Sequence, residues 1–181
     1  MTITYSLSEN DFLTHQLYAA STAERIIKKR QRARLIGPLI YLLLGLYYWF
    51  VSSRTAAGFL VILAILWYFI YPIWERNYYV RHYQAYIREN FRDRIGKLLT
   101  LTFEDDHLFA KESGMESKIP YSELSSVIEI PATIFLKLKT GEAIVLPKSS
   151  IQNLEPLKEK LKALTSALDV PYVLNEQWRW K

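Results

Sequence analysis

The chain of 181 residues contains no cysteine. That absence excludes disulfides, thiol nucleophiles, iron–sulfur clusters and thiolate zinc sites together. It fits a reducing compartment without demanding one. Glycine is scarce too: there are six, all isolated. No G-x-G-x-x-G turn, P-loop or G-x-S-x-G elbow is therefore present to cradle a phosphate or present a serine. The three histidines, His15, His82 and His107, fall in separate segments. None has the H-E-x-x-H spacing that puts two metal ligands on one helix face. His107 follows Glu104-Asp105-Asp106, which hints at cation ligands but reads first as a solvated hairpin turn, where Asp is an ordinary residue. No catalytic, cofactor-binding or metal residue is assigned, and no enzyme activity is expected.

Charge is absent from two long stretches, Leu35–Val51 and Ala56–Trp74, separated by Ser52, Ser53, Arg54 and Thr55. Each has about the 17–25 residues that a helix needs to cross a bilayer core. So short a break leaves no room for a domain, so the two form a helical hairpin with both flanks on one side. The polar start, Met1–Asn10, is no signal peptide, which makes the first run an uncleaved anchor. The spans carry no ionisable group except tyrosine, which argues against a channel, pump or transporter.

Charge gathers at the flanks. Residues 1–96 carry 12 Lys/Arg against 6 Asp/Glu, and residues 97–181 carry 11 against 12. Six Lys/Arg lie in the twenty residues before Leu35, five in the twenty after Trp74, and one, Arg54, in the break. This asymmetry places both termini in the cytoplasm. A nucleic-acid binder would carry its basic stripe on the soluble part, which is neutral here, so nucleic acid is excluded as a partner. Lys28, Lys29, Arg30, Arg32, Arg34 and Arg76 are read first as topology determinants and second as contacts to anionic lipid. Tyr47, Tyr48, Trp49, Tyr71 and Trp74, with Trp67 and Tyr68, are read as rings at headgroup depth, the alternative being packing between the helices.

In chain order, Ile3, Tyr5 and Leu7 alternate as a short strand. Ser8 and Asp11 have capping-box spacing, opening a helix that becomes basic after Arg25 and runs unbroken toward Leu35, where Pro38 should kink it. A separate post-membrane helix is expected over residues 75–96, closed by Gly96. The period then changes. Leu99–Phe103, Leu108–Ala110, Glu116–Ile119, Val127–Ile130, Ile134–Leu138 and Ile144–Leu146 read as six short strands, with turns at Glu104–Asp106, Ser113-Gly114, Pro131-Ala132 and Thr140-Gly141. Leu154, Leu157, Leu161, Leu164 and Leu168 form one apolar helical stripe, with Asn153 as cap and Pro156 in the first turn. Lys137, Lys139 and Lys148 are lipid candidates on this part. The tail either docks at the membrane interface or is loosely ordered.

Seven strands and a closing helix match a pleckstrin-homology-like inventory. Pro120-Tyr121-Ser122-Glu123-Leu124, Val127-Ile128-Glu129, Phe135-Leu136-Lys137-Leu138 and Ile144-Val145-Leu146-Pro147-Lys148, in this order after a paired hydrophobic segment, resemble the YcxB-like family of small bacterial membrane proteins. Tyr121 departs from the family's usual tryptophan. The resemblance implies a fold and a bacterial cytoplasmic (inner) membrane location, and little about activity. The expected fold class is α+β: a transmembrane hairpin with flanking helices and an antiparallel PH-like β domain closed by an amphipathic helix. The expected parts are an N-terminal strand (1–8) joining the β domain, a basic helix (9–34), the hairpin (35–74), the post-membrane helix (75–96), the β domain with its helix (97–168) and a tail (169–181). The expected role is to present the β domain in the cytoplasm to a protein or lipid partner. The alternative is a structural subunit that oligomerises, or joins a larger complex, through its hairpin.

Overall fold

Ile3 and Tyr5 point to one side of strand β1 (Thr2–Ser6) and are buried, while Thr2 and Thr4 point to the other. The computed structural model, which describes residues 1–51, 53–112 and 114–181, pairs β1 antiparallel with β2 (Leu98–Phe103), Ile3 opposite Leu101 and Thr4 opposite Thr100. Across the pair, Thr2 meets Thr102 and Thr4 meets Thr100, each hydroxyl pair at 3.1 Å. Apolar partners thus share the inner face and threonines the outer one. Ser52, in the expected break, and Ser113, in an expected turn, lie outside the described residues.

The described residues divide into two units, Met1–His15 with Tyr86–Arg179, and Gln16–Ala85 with Trp180–Lys181. In the first, β1, β2, β3 (His107–Glu112) and β4 (Met115–Pro120) form one antiparallel sheet in that order. A 3₁₀ turn at Tyr121–Glu123 leads to the second sheet, ordered β7-β6-β5-β8. Its strands are β5 (Leu124–Glu129), β6 (Thr133–Leu138), β7 (Ala143–Pro147) and β8 (Tyr172–Leu174). Buried Tyr121 sits at the passage between the sheets, its hydroxyl donating to the Glu104 carbonyl at 2.7 Å. β6 is buried on both faces from Thr133 to Leu136. Phe135 points away from Ile134 and Leu136 and meets the edge of the His15 ring at 5.4 Å.

Helix α4 (Leu154–Ala167) closes this unit with Leu157 and Leu161 fully buried. Asn153 precedes it, but its side chain makes no capping bond, so that expectation is corrected. The helix ends in a Schellman arrangement: Asp169 takes φ 54°, its amide donates to Ser166 and that of Val170 to Thr165. This turn lays the chain back along β5, where β8 pairs in parallel, Val127 opposite Tyr172. Tyr172–Leu174 of the tail are therefore a sheet strand, and the loosely ordered reading is corrected for them.

Two helix ends complete the same unit. α1 (Glu9–Thr22) starts with the expected box, the Ser8 amide donating to Asp11 Oδ2 at 2.8 Å and the Asp11 amide to Ser8 Oγ at 3.3 Å. Phe12 on α1 lies 4.9 Å, ring to ring, from Phe91, just beyond α3 (Arg54–Asn90). Glu9 pairs with Arg88 at 2.9 Å. Phe12, Leu13 and Ile87 are all buried. After a turn, Gly96 takes φ 76°, and its amide donates to the Leu7 carbonyl at 2.9 Å, beside the last residues of β1.

The second unit is a pair of long helices, α2 (Glu24–Val51) and α3. α1 stops at Thr22, where an unbroken helix was expected. The hydroxyls of Ser21 and Thr22 bond back to the Tyr18 carbonyl at 2.7 and 3.2 Å, a competition with the backbone that bends helices. α3 passes through Pro72 and Glu75 without a break, so the expected separate helix over 75–96 is its continuation, ending at Asn90. Both helices are long and apolar enough to cross a membrane, their most apolar 18-residue windows having mean hydropathies of 1.5 and 2.2.

Candidate functional site

The phase of α2 sorts its basic run. At 3.6 residues per turn, Arg30, Arg34, Gly37, Tyr41 and Gly45 share one face. Each meets α3, stepping down α3 as they step up α2. Arg30 Nε donates to Glu75 at 3.1 Å. The Arg34 guanidinium lies 4.1 Å from the centre of the Tyr68 ring. Gly37 has no room for a side chain, since a Cβ there would stand 2.4 Å from the Trp67 indole nitrogen. Tyr41 meets the same indole edge-on at 6.3 Å. A Cβ on Gly45 would stand 3.6 Å from that of Leu60 and 3.5 Å from the Ala57 carbonyl. Ala57 and Ala64 are buried, one heptad apart on α3, so small residues set the close approach. Gly58, the other glycine that might have done so, has nothing within 4 Å.

At the basic end of this seam is a closed cluster. Arg30 Nη2 donates to the Lys181 carbonyl at 2.8 Å, and its guanidinium lies 4.7 Å from the Trp180 ring. Trp180 Nε1 donates to the Arg76 carbonyl at 3.3 Å, and the ring meets Tyr79 edge-on. Glu75 and Trp180 are 6% and 9% exposed, so the ion pair is shielded, and breaking it would strand a charge.

The opposite face carries Arg25, Lys28, Lys29 and Arg32, all exposed. They line a concavity of about 660 Å³ with Glu24, Ala33 and Ile36. Lys28 pairs with Glu24 at 2.6 Å, in an exposed arrangement of small energetic weight. The sequence-predicted basic residues are thus not one patch. Lys28, Lys29 and Arg32 stand outward, Arg30 and Arg34 inward, and Arg76 is exposed on α3. Arg25 belongs with the outward set, and the helical period alone would have found it.

The predicted rings separate in a similar way. Tyr47, Trp49 and Trp74 are 58%, 54% and 53% exposed. Tyr48 meets Tyr47 edge-on at 5.6 Å, and the Arg54 guanidinium lies 5.6 Å from Trp49. Tyr71 is half-buried, stacked on Trp67 at 5.2 Å.

The β unit holds a second cluster, around Glu129, which is 3% exposed. Lys148 Nζ reaches it at 2.6 Å, Lys158 Nζ at 2.9 Å, and the Tyr172 hydroxyl donates to it at 2.5 Å. Burial alone would raise this carboxyl. The bonds from Lys148, Tyr172 and Lys158 reverse that and hold it at about 2. Burial, together with the bond to Glu129, pushes the Tyr172 hydroxyl up. Lys148 is therefore engaged in a buried network, which corrects its reading as a free lipid contact, while Lys137 and Lys139 are exposed. Glu129 ties β5, β8, α4 and the turn after β7 together. His15, against Phe135, is lowered by burial. His107 lies between Asp106 and Glu104 in the expected turn. Among the described residues no three His, Asp or Glu side chains gather as metal ligands.

Residues 103–161 match the family model described as YcxB-like protein. The match runs from the end of β2 into α4 and takes in Tyr121, Glu129, Lys148 and Lys158. The apolar helices, β1 and Tyr172 lie outside it. Neither a curated protein nor a solved structure matches the chain.

Proposed function

We propose, from a chain whose residues 103–161 are YcxB-like and whose two longest helices are apolar, that this is an integral membrane protein with its β unit in the cytoplasm. The observation that carries the reading is exposure. Only 6% and 11% of the most apolar windows of α2 and α3 are buried. Leu35, Leu39, Leu43, Phe50, Phe59, Phe69 and Ile73 are among the many large side chains left open around both helices. A core helix of a soluble protein would hide one face, whereas a helix apolar all round needs a lipid solvent. Exposed Tyr47, Trp49 and Trp74 suit headgroup depth, and the Lys/Arg asymmetry supports cytoplasmic flanks.

The β unit is then a PH-like binding module. One antiparallel sheet, one mixed sheet and a closing helix that buries Leu157 and Leu161 support that comparison. The module's role is to bind a protein or a lipid partner. Alkaline carbonate extraction of membranes containing the full chain tests the anchor: the protein stays with the pellet, and release to the supernatant would overturn it. Crosslinking in native membranes followed by identification of bound protein and lipid tests the module. Recovery of nothing above a hairpin-only control would remove the binding role.

A further inference from the structure

We infer that the outward face of α2 binds the headgroup of an anionic phospholipid, with Arg25, Lys28, Lys29 and Arg32 as its phosphate-facing groups. This rests on the reading of the hairpin as membrane-embedded and assigns it a lipid class and a site. The two faces of the helix have different fates. Arg30 is engaged by Glu75 and the Lys181 carbonyl, and Arg34 lies on Tyr68. The four outward groups face a concavity whose single acidic lining residue is Glu24. This excess of positive charge calls for an anion.

The same face also states which anion. Below Arg32 it continues without a break into Ile36, Leu39, Ile40 and Leu43, which are 52%, 56%, 51% and 59% exposed. Charge above and apolar surface directly beneath is the polarity profile of one phospholipid, phosphate over acyl chain. From Arg25 to Arg32 the helix rises about 10 Å. That covers the headgroup layer, about 5–8 Å on each side of the hydrocarbon core. An acidic protein segment could meet the upper half of this face but not the lower.

The test uses the full chain in mixed vesicles of phosphatidylcholine and phosphatidylglycerol, with bound lipid counted by native mass spectrometry. Two charge-matched variants differ only in the face they alter: Lys29→Gln with Arg32→Gln, and Arg30→Gln with Arg34→Gln. Each basic group near an anionic surface is worth about fivefold. The outward variant therefore loses about tenfold or more of the phosphatidylglycerol enrichment, and the inward variant keeps it. Equal losses in the two variants, or no enrichment by the unaltered chain, would overturn the site. Should the inward variant misfold, amine footprinting of the unaltered chain decides instead. Lys28 and Lys29 are protected in phosphatidylglycerol vesicles and not in phosphatidylcholine alone; identical labelling in both refutes the proposal. Protection by an acidic peptide but not by vesicles would reassign the face to a protein partner. A chain that floats with neither kind of vesicle refutes the membrane reading itself, a separate outcome.

Discussion

Glu129→Gln is the substitution whose cost the structure prices most directly. The carboxylate holds Lys148, Lys158 and Tyr172 in one buried network. Its proton affinity falls from that of an ordinary carboxyl at 4.5 to about 2 on folding. At roughly 1.4 kcal/mol per decade, that is about 3 kcal/mol of stability carried by the ionised form. Removing one partner of a buried pair costs about 3–5 kcal/mol, because the ammonium groups left behind remain shielded from water. The two figures agree. The sign follows from the direction of the shift. The group is depressed in the fold, so its stabilisation is complete above about pH 4.5 and is lost as pH falls toward 2. Hydrogen exchange with mass-spectrometric readout of peptides covering β5 and β8, corrected for intrinsic rates, measures it. At pH 7, Glu129→Gln opens more readily by about 3 kcal/mol, or a hundredfold or more in rate. Toward pH 2 the gap closes, since the unaltered chain falls and the glutamine variant does not. A gap that stays constant from pH 7 to pH 2 would refute the network as an electrostatic device.

The remaining predictions concern the seam and the limits of the units. In this cysteine-free chain, Gly45→Cys with Leu60→Cys should crosslink readily under mild oxidant, because a Cβ at 45 stands 3.6 Å from that of Leu60, within disulfide range; failure to crosslink in membranes would reject the packing. Gly37→Val should weaken the hairpin by about 1–3 kcal/mol through its clash with Trp67, seen as slower crosslinking of that same pair, and Trp67→Ala should restore it. Deleting residues 16–85 behind a flexible linker should leave a folded, soluble β unit. Deleting 9–96 should not, because it removes buried Phe12, Leu13 and Ile87, together worth about 5–8 kcal/mol, most of a small domain's stability; equal circular dichroism and melting for the two would contradict this. Trp180→Ala should speed carboxypeptidase trimming of the tail about tenfold or more, since a shielded cation–π contact is worth about 2 kcal/mol.

Much of this fold is legible in the sequence for a definite reason. β1 and β2 bury chiefly one face, so their period of two is written in the side chains, and the α4 stripe is written in steps of three and four. What escapes notice depends on distance or on chemistry without a pattern. β8 has three residues and no alternation, and its place follows from Asp169 adopting a left-handed turn usually given to glycine. The break at Ala23 goes with hydroxyls bonding backward, and nothing in an apolar–polar pattern signals that. The Glu129 network joins residues far apart along the chain, which no local spacing reveals. The basic run is plain to see, but reading it as a single patch ignores the helical phase. Applied to Arg25–Arg34, that phase separates outward Arg25, Lys28, Lys29 and Arg32 from inward Arg30 and Arg34. Trp180 escapes as a partner of Arg30 because terminal aromatics carry no periodicity at all.

The central claim, a hairpin that anchors a cytoplasmic β unit, is tested most directly by single-cysteine labelling in intact bacterial cells expressing the full chain. Thr55→Cys, exposed at the start of α3, should react with a membrane-impermeant maleimide added outside. Ser117→Cys, exposed on β4, should react only after the cells are opened. Labelling of Ser117→Cys from outside, or recovery of the chain among the soluble proteins, would contradict the account.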